Sequence, residues 1–224
     1  MSPEFRLRIG YKKQGRGAYL SHLEVIRALE RTVRRAQLPY AITQGFSPHM
    51  KVAFGPALGV GTASRAEYFD VIVTEFINPD QALNRLQVVA SDVLVPFACG
   101  YVSSREPSLS AAVNILQYQV IVEGDVDIKT DIPEHFEIEQ RGKIKAYDAL
   151  NVLPEPISVT QVDDIAIVRF TIRATPQGTL RPDSLMKFLM DEGDGVVEGV
   201  RITYERTATL IEQAGGTWVE PLSS

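Results

Sequence analysis

Apolar and polar residues alternate from the start of the chain: Phe5, Leu7, Ile9 and Tyr11 against Arg6, Arg8, Gly10 and Lys12. A period of two predicts a strand with one buried face. Residues 12–17, a basic turn with Gly15 and Gly17 as breakers, end it. The period then lengthens. Ser21 and Glu24 have capping-box spacing and predict a helix starting at His22. On that helix Ile26, Leu29 and Val33 share one face, with His22 beside them, while Arg27, Arg31, Arg34 and Arg35 share the opposite face. Pro39 closes it, because the residue before a proline avoids the helical region.

Residues 39–44 and 50–54 read as short extended pieces around a compact turn, Gly45–His49. The glycine-rich run 55–64 reads as a loop: no Gly-Lys-Ser follows it, and Ser64 stands where a dinucleotide fingerprint needs its third glycine. A strand is expected over 66–76. Asn78-Pro79-Asp80 then opens a helix with Leu83, Leu86 and Val89 on one side, and 93–103 is extended. This β-α-β-β-α-β order predicts a ferredoxin-like sandwich, an antiparallel sheet with helices on one face. After a polar join at 103–112, strands are expected at 115–123, 165–173 and 197–209 and a helix at 181–191, with a short helix and hairpin strands within 125–156. The fold class expected is α+β, two ferredoxin-like halves packed as one body. They span 1–106 and 113–212, the second less regular, with a loose tail over 213–224.

Charge changes this picture locally. The net charge is −5, yet residues 1–51 hold ten basic against three acidic side chains, and the remainder holds 13 against 25. One edge of an acidic chain can therefore bind nucleic acid. The candidate contacts are Lys12, Lys13, Arg16, Arg27, Arg31, Arg34, Arg35, His49 and Lys51. The arginine stripe also fits a solvated face with Glu24–Arg27 and Glu30–Arg34 pairs, and both readings stand at this point. In the Gly45–His49 turn, Gly45 permits an unusual backbone angle and Pro48 adds stiffness. Phe46 is expected to anchor the turn in the core, with His49 facing outward beside the arginine helix. His22 is expected to be a partly buried, hydrogen-bonded histidine.

Little else points to chemistry. A lone cysteine, Cys99, excludes an internal disulfide and a cysteine-only metal site, and fits a reducing compartment. His22, His49 and His135 lack zinc-ligand spacing, and no serine-hydrolase elbow occurs. Neither a cofactor nor a metal is expected, and no catalytic residue is assigned. Metal-independent RNA cleavage stays open through His49 with Tyr19 and Lys51, or His22 with Tyr40. No apolar run reaches membrane-span length and the N-terminus lacks a signal-peptide core, so a cytoplasmic location without membrane contact is expected.

Four stretches carry a family resemblance: Tyr19–Glu24 (YLSHLE), Arg27–Pro39 (RALERTVRRAQLP), Gln44–Lys51 (QGFSPHMK) and Ala57–Val73 (ALGVGTASRAEYFDVIV). They resemble a bacterial family of radical-SAM-linked proteins of unknown function, with looser likeness at 179–189 and 202–210. The motif positions are Ser21, His22, Gly45, Phe46, Pro48, His49, Glu67 and Tyr68. The resemblance implies a partner more than a reaction, namely a separately encoded radical-SAM iron–sulfur protein, since this chain has no cysteine cluster of its own. The paired layout is also similar to that of CRISPR repeat-processing endoribonucleases, a likeness of fold only. The leading expectation is a non-catalytic RNA-binding accessory domain acting in RNA modification or processing. A protein–protein adaptor without RNA contact is the alternative, beside the endoribonuclease.

Overall fold

The computed structural model describes residues 4–140, 142–175, 178–190 and 199–222. The fold is α+β with mostly antiparallel strands, as expected. The chain forms two compact units, residues 1–113 with 208–224, and residues 114–207.

In the first unit β1 (Phe5–Lys13) is followed by a tight helical turn (Gly15–Tyr19), α1 (His22–Arg35), β2 (Val52–Phe54) and β3 (Thr62–Val73). Helix α2 (Pro79–Val89), β4 (Leu94–Val102) and the short α3 (Leu109–Ala112) complete this stretch. The strand order is β4-β1-β3-β2, each neighbouring pair antiparallel, which is the ferredoxin-like arrangement. Both halves of the capping box form: the Ser21 hydroxyl accepts the Glu24 N–H at 3.4 Å, and the Glu24 carboxylate accepts the Ser21 N–H at 2.8 Å. The Ser21 hydroxyl also donates to the Glu24 carboxylate at 2.7 Å, and this bond, followed by that from the Ser21 N–H, holds the Glu24 carboxyl below its ordinary range. Asn78 caps α2 in the same way, its side chain accepting from the Asp80 and Gln81 amides, with Pro79 in the first turn.

One face of this sheet is hydrophobic. Leu7, Ile9 and Tyr11 of β1 and Phe69, Val71 and Val73 of β3 pack with Val25, Leu29 and Val33 of α1 and Ala82 and Leu86 of α2. The buried row of α1 runs through Val25, Leu29, Thr32 and Val33, so Ile26 lies at its margin rather than at its centre. Two further expectations are shifted. Strand β3 begins at Thr62, shortening the glycine-rich loop, and residues 39–44 supply isolated bridges at Tyr40 and Ile42 instead of a strand.

The second unit contains β5 (Ile115–Glu123), the hairpin β6 (His135–Gln140) and β7 (Lys143–Asp148), α4 (Ala149–Val152) and β8 (Ser158–Val162). Then come β9 (Ile165–Arg173), α5 (Pro182–Leu189) and β10 (Arg201–Glu212), which belongs to this unit through Thr207. The order β10-β5-β9-β8 repeats the first unit's pattern, with the β6–β7 hairpin and α4 in place of the first helix. Helix α5 packs on that hairpin through Phe188 and Phe136, ring centres 5.4 Å apart. Buried Arg206 donates from Nε and Nη2 to the Tyr118 hydroxyl at 3.1 and 2.9 Å, and Tyr118 stacks on Phe170. The expected helix end at Asp191 and strand start at Val197 lie outside the described residues.

The stretch expected to be a loose tail is ordered where it is described. β11 (Trp218–Val219) pairs with Glu212 and Ile211, and Trp218 Nε1 reaches the Glu212 carboxylate at 3.4 Å. Beyond it, the Pro221 carbonyl accepts from Arg8 Nη1 at 2.9 Å. The second face of the first unit's sheet is therefore covered as well. Phe97 and Tyr68 press so closely on Gly10 that a Cβ there would lie 2.7 Å from the Phe97 ring. On this face Arg8 is 1 % and Asp70 2 % exposed; the guanidinium grips the carboxylate through Nε–Oδ1 at 2.7 Å and Nη2–Oδ2 at 3.0 Å. No helix among the described residues is long and apolar enough to cross a membrane.

Removing one partner of a buried pair strands the other's charge. Asp70→Ala should cost about 3–5 kcal/mol of unfolding free energy. Glu30→Ala, which breaks the exposed 3.2 Å pair with Arg34, should cost at most about 1 kcal/mol. Urea denaturation of both variants measures this, and equal costs would contradict the role given to Asp70.

Candidate functional site

The expected basic residues fall into separate places. Arg27, Arg31, Arg34 and Arg35 are all exposed along α1. Arg34 pairs with Glu30, whereas Arg27, Arg31 and Arg35 make no ion pair within 4 Å among the described residues. At the head of the same helix Tyr19 is 73 % exposed, with Leu23 exposed beside it. Arg16 and Lys12 are exposed as well. Lys13 is not available at the surface: it is 2 % exposed and its Nζ donates to the Ala18 carbonyl at 3.0 Å. Lys13 continues the buried alternation of Leu7, Ile9 and Tyr11 along β1, and the extra residue at the register shift lies on β3.

His22 is exposed rather than partly buried, its ring set edge-on to Phe54 at 5.7 Å. It borders a small cavity of about 10 Å³ with Lys13, Glu67 and Tyr11, room for one water at most. Glu67 is buried there and accepts the Ser64 hydroxyl at 2.7 Å. Burial, then the charges of Glu220 and Glu67, push the Tyr68 hydroxyl far above its ordinary range. The motif positions Ser21, His22, Glu67 and Tyr68 thus serve a helix start and a packed strand.

The other motif positions form a closed hairpin tip. The Thr43 amide donates to the His49 carbonyl at 2.8 Å, and the His49 amide donates to Thr43 Oγ1 at 3.1 Å. His49 Nδ1 lies 3.2 Å from Thr43 Oγ1 and 3.1 Å from the Ser47 carbonyl. Gly45 has φ of 138°, a conformation that excludes ordinary side chains. The expected anchoring by Phe46 is overturned, since that ring is 111 % exposed. The hydrogen bonds through Thr43 close the loop without it.

Below this tip lies the larger cavity, about 350 Å³. His49, Lys51 and Thr43 line it from the hairpin, Asp70 and Ile72 from β3, and Arg6 and Ser108 close it. Sequence reasoning missed Arg6, which it placed on the solvent side of β1. Strand alternation puts Arg6, Asp70 and Ile72 on the face away from α1. His49 and Lys51 therefore share a site with Arg6, and none of the α1 arginines lines it. Of the other candidate catalytic groups, Tyr19 lines neither of these two cavities, and Tyr40 does not line the one that His22 borders.

Within the large cavity the charges are unequally satisfied. Both Asp70 oxygens are occupied by Arg8. Arg6 uses its terminal nitrogens on the carbonyls of Ser103, Glu106 and Pro107. Its Nε is buried without a hydrogen-bond partner, 4.0 Å from Asp70 Oδ2. Lys51 Nζ meets Glu4 at 2.7 Å in a pair open to solvent. Elsewhere in the unit, burial pushes the Cys99 thiol up to about 12, which keeps it protonated and unreactive at neutral pH.

A model of the family described as "Uncharacterized protein conserved in bacteria (DUF2344)" matches residues 6–182. The match covers well over half of the chain, which belongs to this family. A comparison with curated proteins gives no match.

If Thr43 Oγ1 is what closes the hairpin, Thr43→Val should raise hydrogen exchange at the His49 amide about tenfold, the equivalent of one neutral hydrogen bond. His49→Ala keeps the backbone bonds and should leave that amide protected. Amide exchange by NMR reads both; a larger effect from His49→Ala would contradict the assignment.

Proposed function

We propose that this member of the family is a non-catalytic RNA-binding accessory protein that acts beside a radical-SAM iron–sulfur protein in RNA modification or processing. The observation that carries the RNA part is the run Arg27, Arg31 and Arg35, exposed on one face of α1 with no carboxylate within 4 Å among the described residues. These residues recur at intervals of four, about 6 Å of axial rise each. Guanidinium forks at that spacing suit successive phosphates of a single strand. Unneutralised like charges at i,i+4 disfavour the helix by a few tenths of a kcal/mol each, and bound phosphates would offset this. Exposed Tyr19 offers a ring for a base to stack on. The radical-SAM association rests on the sequence resemblance.

A protein-docking reading of the same helix draws on Leu23, Val60 and Tyr19. All three are exposed, and the Gly61 amide bonds the Ala18 carbonyl, drawing the loop that carries Val60 toward the head of α1. Leu23→Asp separates the two readings. It should abolish a nuclease-resistant complex with the co-expressed radical-SAM protein if the face docks protein, and leave that complex intact if the face holds RNA.

The direct test is fluorescence anisotropy with single-stranded RNA across salt concentrations. Each phosphate neutralised adds about 0.7 to the log–log salt slope, so replacing Arg27, Arg31 and Arg35 by Gln should lower the slope by about 2. The triple variant should unfold at an unchanged or slightly higher temperature. Absence of binding by folded wild-type protein at about 50 mM salt, where such contacts are strong, would overturn the RNA reading.

A further inference from the structure

We propose that the cavity beneath the 43–49 hairpin is a binding site for a phosphate monoester carried on a small organic group. The site lies on the opposite sheet face from α1, and the inference stands whether or not α1 binds RNA. Its floor is Asp70 and Ile72 of β3, and Arg6 reaches it from β1.

The charge balance selects the ligand. Asp70 lines the cavity, but Arg8 grips it bidentately at 2.7 and 3.0 Å, so its charge is balanced within the protein. Arg6 is left with a buried Nε–H that nothing among the described residues accepts. Native structures rarely leave such a donor unpaired, and a group held in the cavity can accept from it. Beside it stand Lys51, whose one ion-pair partner among the described residues is the partly exposed Glu4, and His49, whose Nδ1 is engaged within the hairpin while Nε2 has no partner among the described residues. Ser108 adds a hydroxyl. A guanidinium N–H, an ammonium, an imidazole and a hydroxyl around one space suit a tetrahedral oxyanion better than a flat carboxylate.

Volume sets the rest of the ligand. About 350 Å³ is more than a bare phosphate fills and falls at the small end of ligand pockets. Met50, Val52, Ala53 and Ile72 supply apolar wall for an attached group. A nucleoside monophosphate has this chemistry and so does the phosphorylated end of an RNA chain.

Isothermal titration of the full chain tests the site with adenosine 5′-monophosphate, adenosine, inorganic phosphate, and short RNAs bearing a 5′-phosphate or a 5′-hydroxyl. The monophosphate should bind at least about tenfold more tightly than adenosine, the scale of one charge-assisted hydrogen bond. Lys51→Gln and His49→Ala should each weaken it by about the same factor, and Arg31→Gln should leave it unchanged. Arg6→Gln should abolish binding. Because Arg6 also ties down three carbonyls, the two exposed positions keep the test decisive should that variant unfold. Tighter binding of the 5′-phosphorylated RNA than of the mononucleotide identifies a chain end as the source; the reverse identifies a free small molecule. Equal binding of adenosine and its monophosphate, or affinity unmoved by both Lys51→Gln and His49→Ala, would overturn the proposal.

Discussion

The first unit depends on the ion pair between Arg8 and Asp70, directly opposed in the β1–β3 register and almost fully buried. Desolvating two charges costs several kcal/mol each, and their attraction roughly offsets that cost, so the pair is weak evidence for net stability. What it does is fix geometry. A one-residue slip of β1 against β3 would face Arg8 with Phe69 or Val71 and leave Asp70 alone in the interior. The third bond of Arg8, to Pro221, draws the end of the chain over the same face. A strand that reads as half-exposed becomes a central strand covered on both sides.

The pair also divides the chemistry of the sheet. Its α1 side is filled at the centre by Leu7, Ile9, Phe69 and Val71, and the polar groups at its end, Lys13 and Glu67, border a cavity with room for one water at most. On the other side Asp70 is spent on Arg8, so Arg6 two residues earlier keeps an unmatched donor beside a cavity. The basic residues clustered in the first 51 positions therefore do not make one surface. An outward stripe on α1 and an inward group around Arg6, His49 and Lys51 are separated by the thickness of the sheet.

Much of this was legible along the chain. The Ser21–Glu24 box, the Asn78-Pro79-Asp80 start and the alternation of β1 are local signals, and local hydrogen bonds honour them. What the sequence hid depends on distant partners. Arg6 and Arg8 alternate with apolar residues as solvent-facing positions would, and only the order β4-β1-β3-β2 with residues 103–112 and 221 above it shows that this face is covered. Lys13 looked like part of a basic turn, but β1 runs on to it and alternation keeps it on the buried face with Tyr11. Phe46 looked like an anchor because aromatic rings usually are, yet Thr43 closes its loop with hydrogen bonds and leaves the ring outside. In the stretch read as a loose tail, Gly215 and Gly216 make the turn that lets Trp218 return to Glu212. In the second unit the hairpin within 125–156 was foreseeable, but not that it would stand where the first unit has α1.

The claim that Arg8 satisfies Asp70 and thereby frees Arg6 for a ligand is tested most directly by NMR of the arginine side-chain Nε–H groups, with adenosine 5′-monophosphate titrated into the isotopically labelled chain. Buried guanidinium N–H groups give separate, slowly exchanging signals. The account predicts that the Arg6 Nε–H signal moves saturably toward a hydrogen-bonded position while the Arg8 signal stays in place. An Arg6 signal that stays fixed while the nucleotide binds, or an Arg8 signal that moves in its stead, would contradict it.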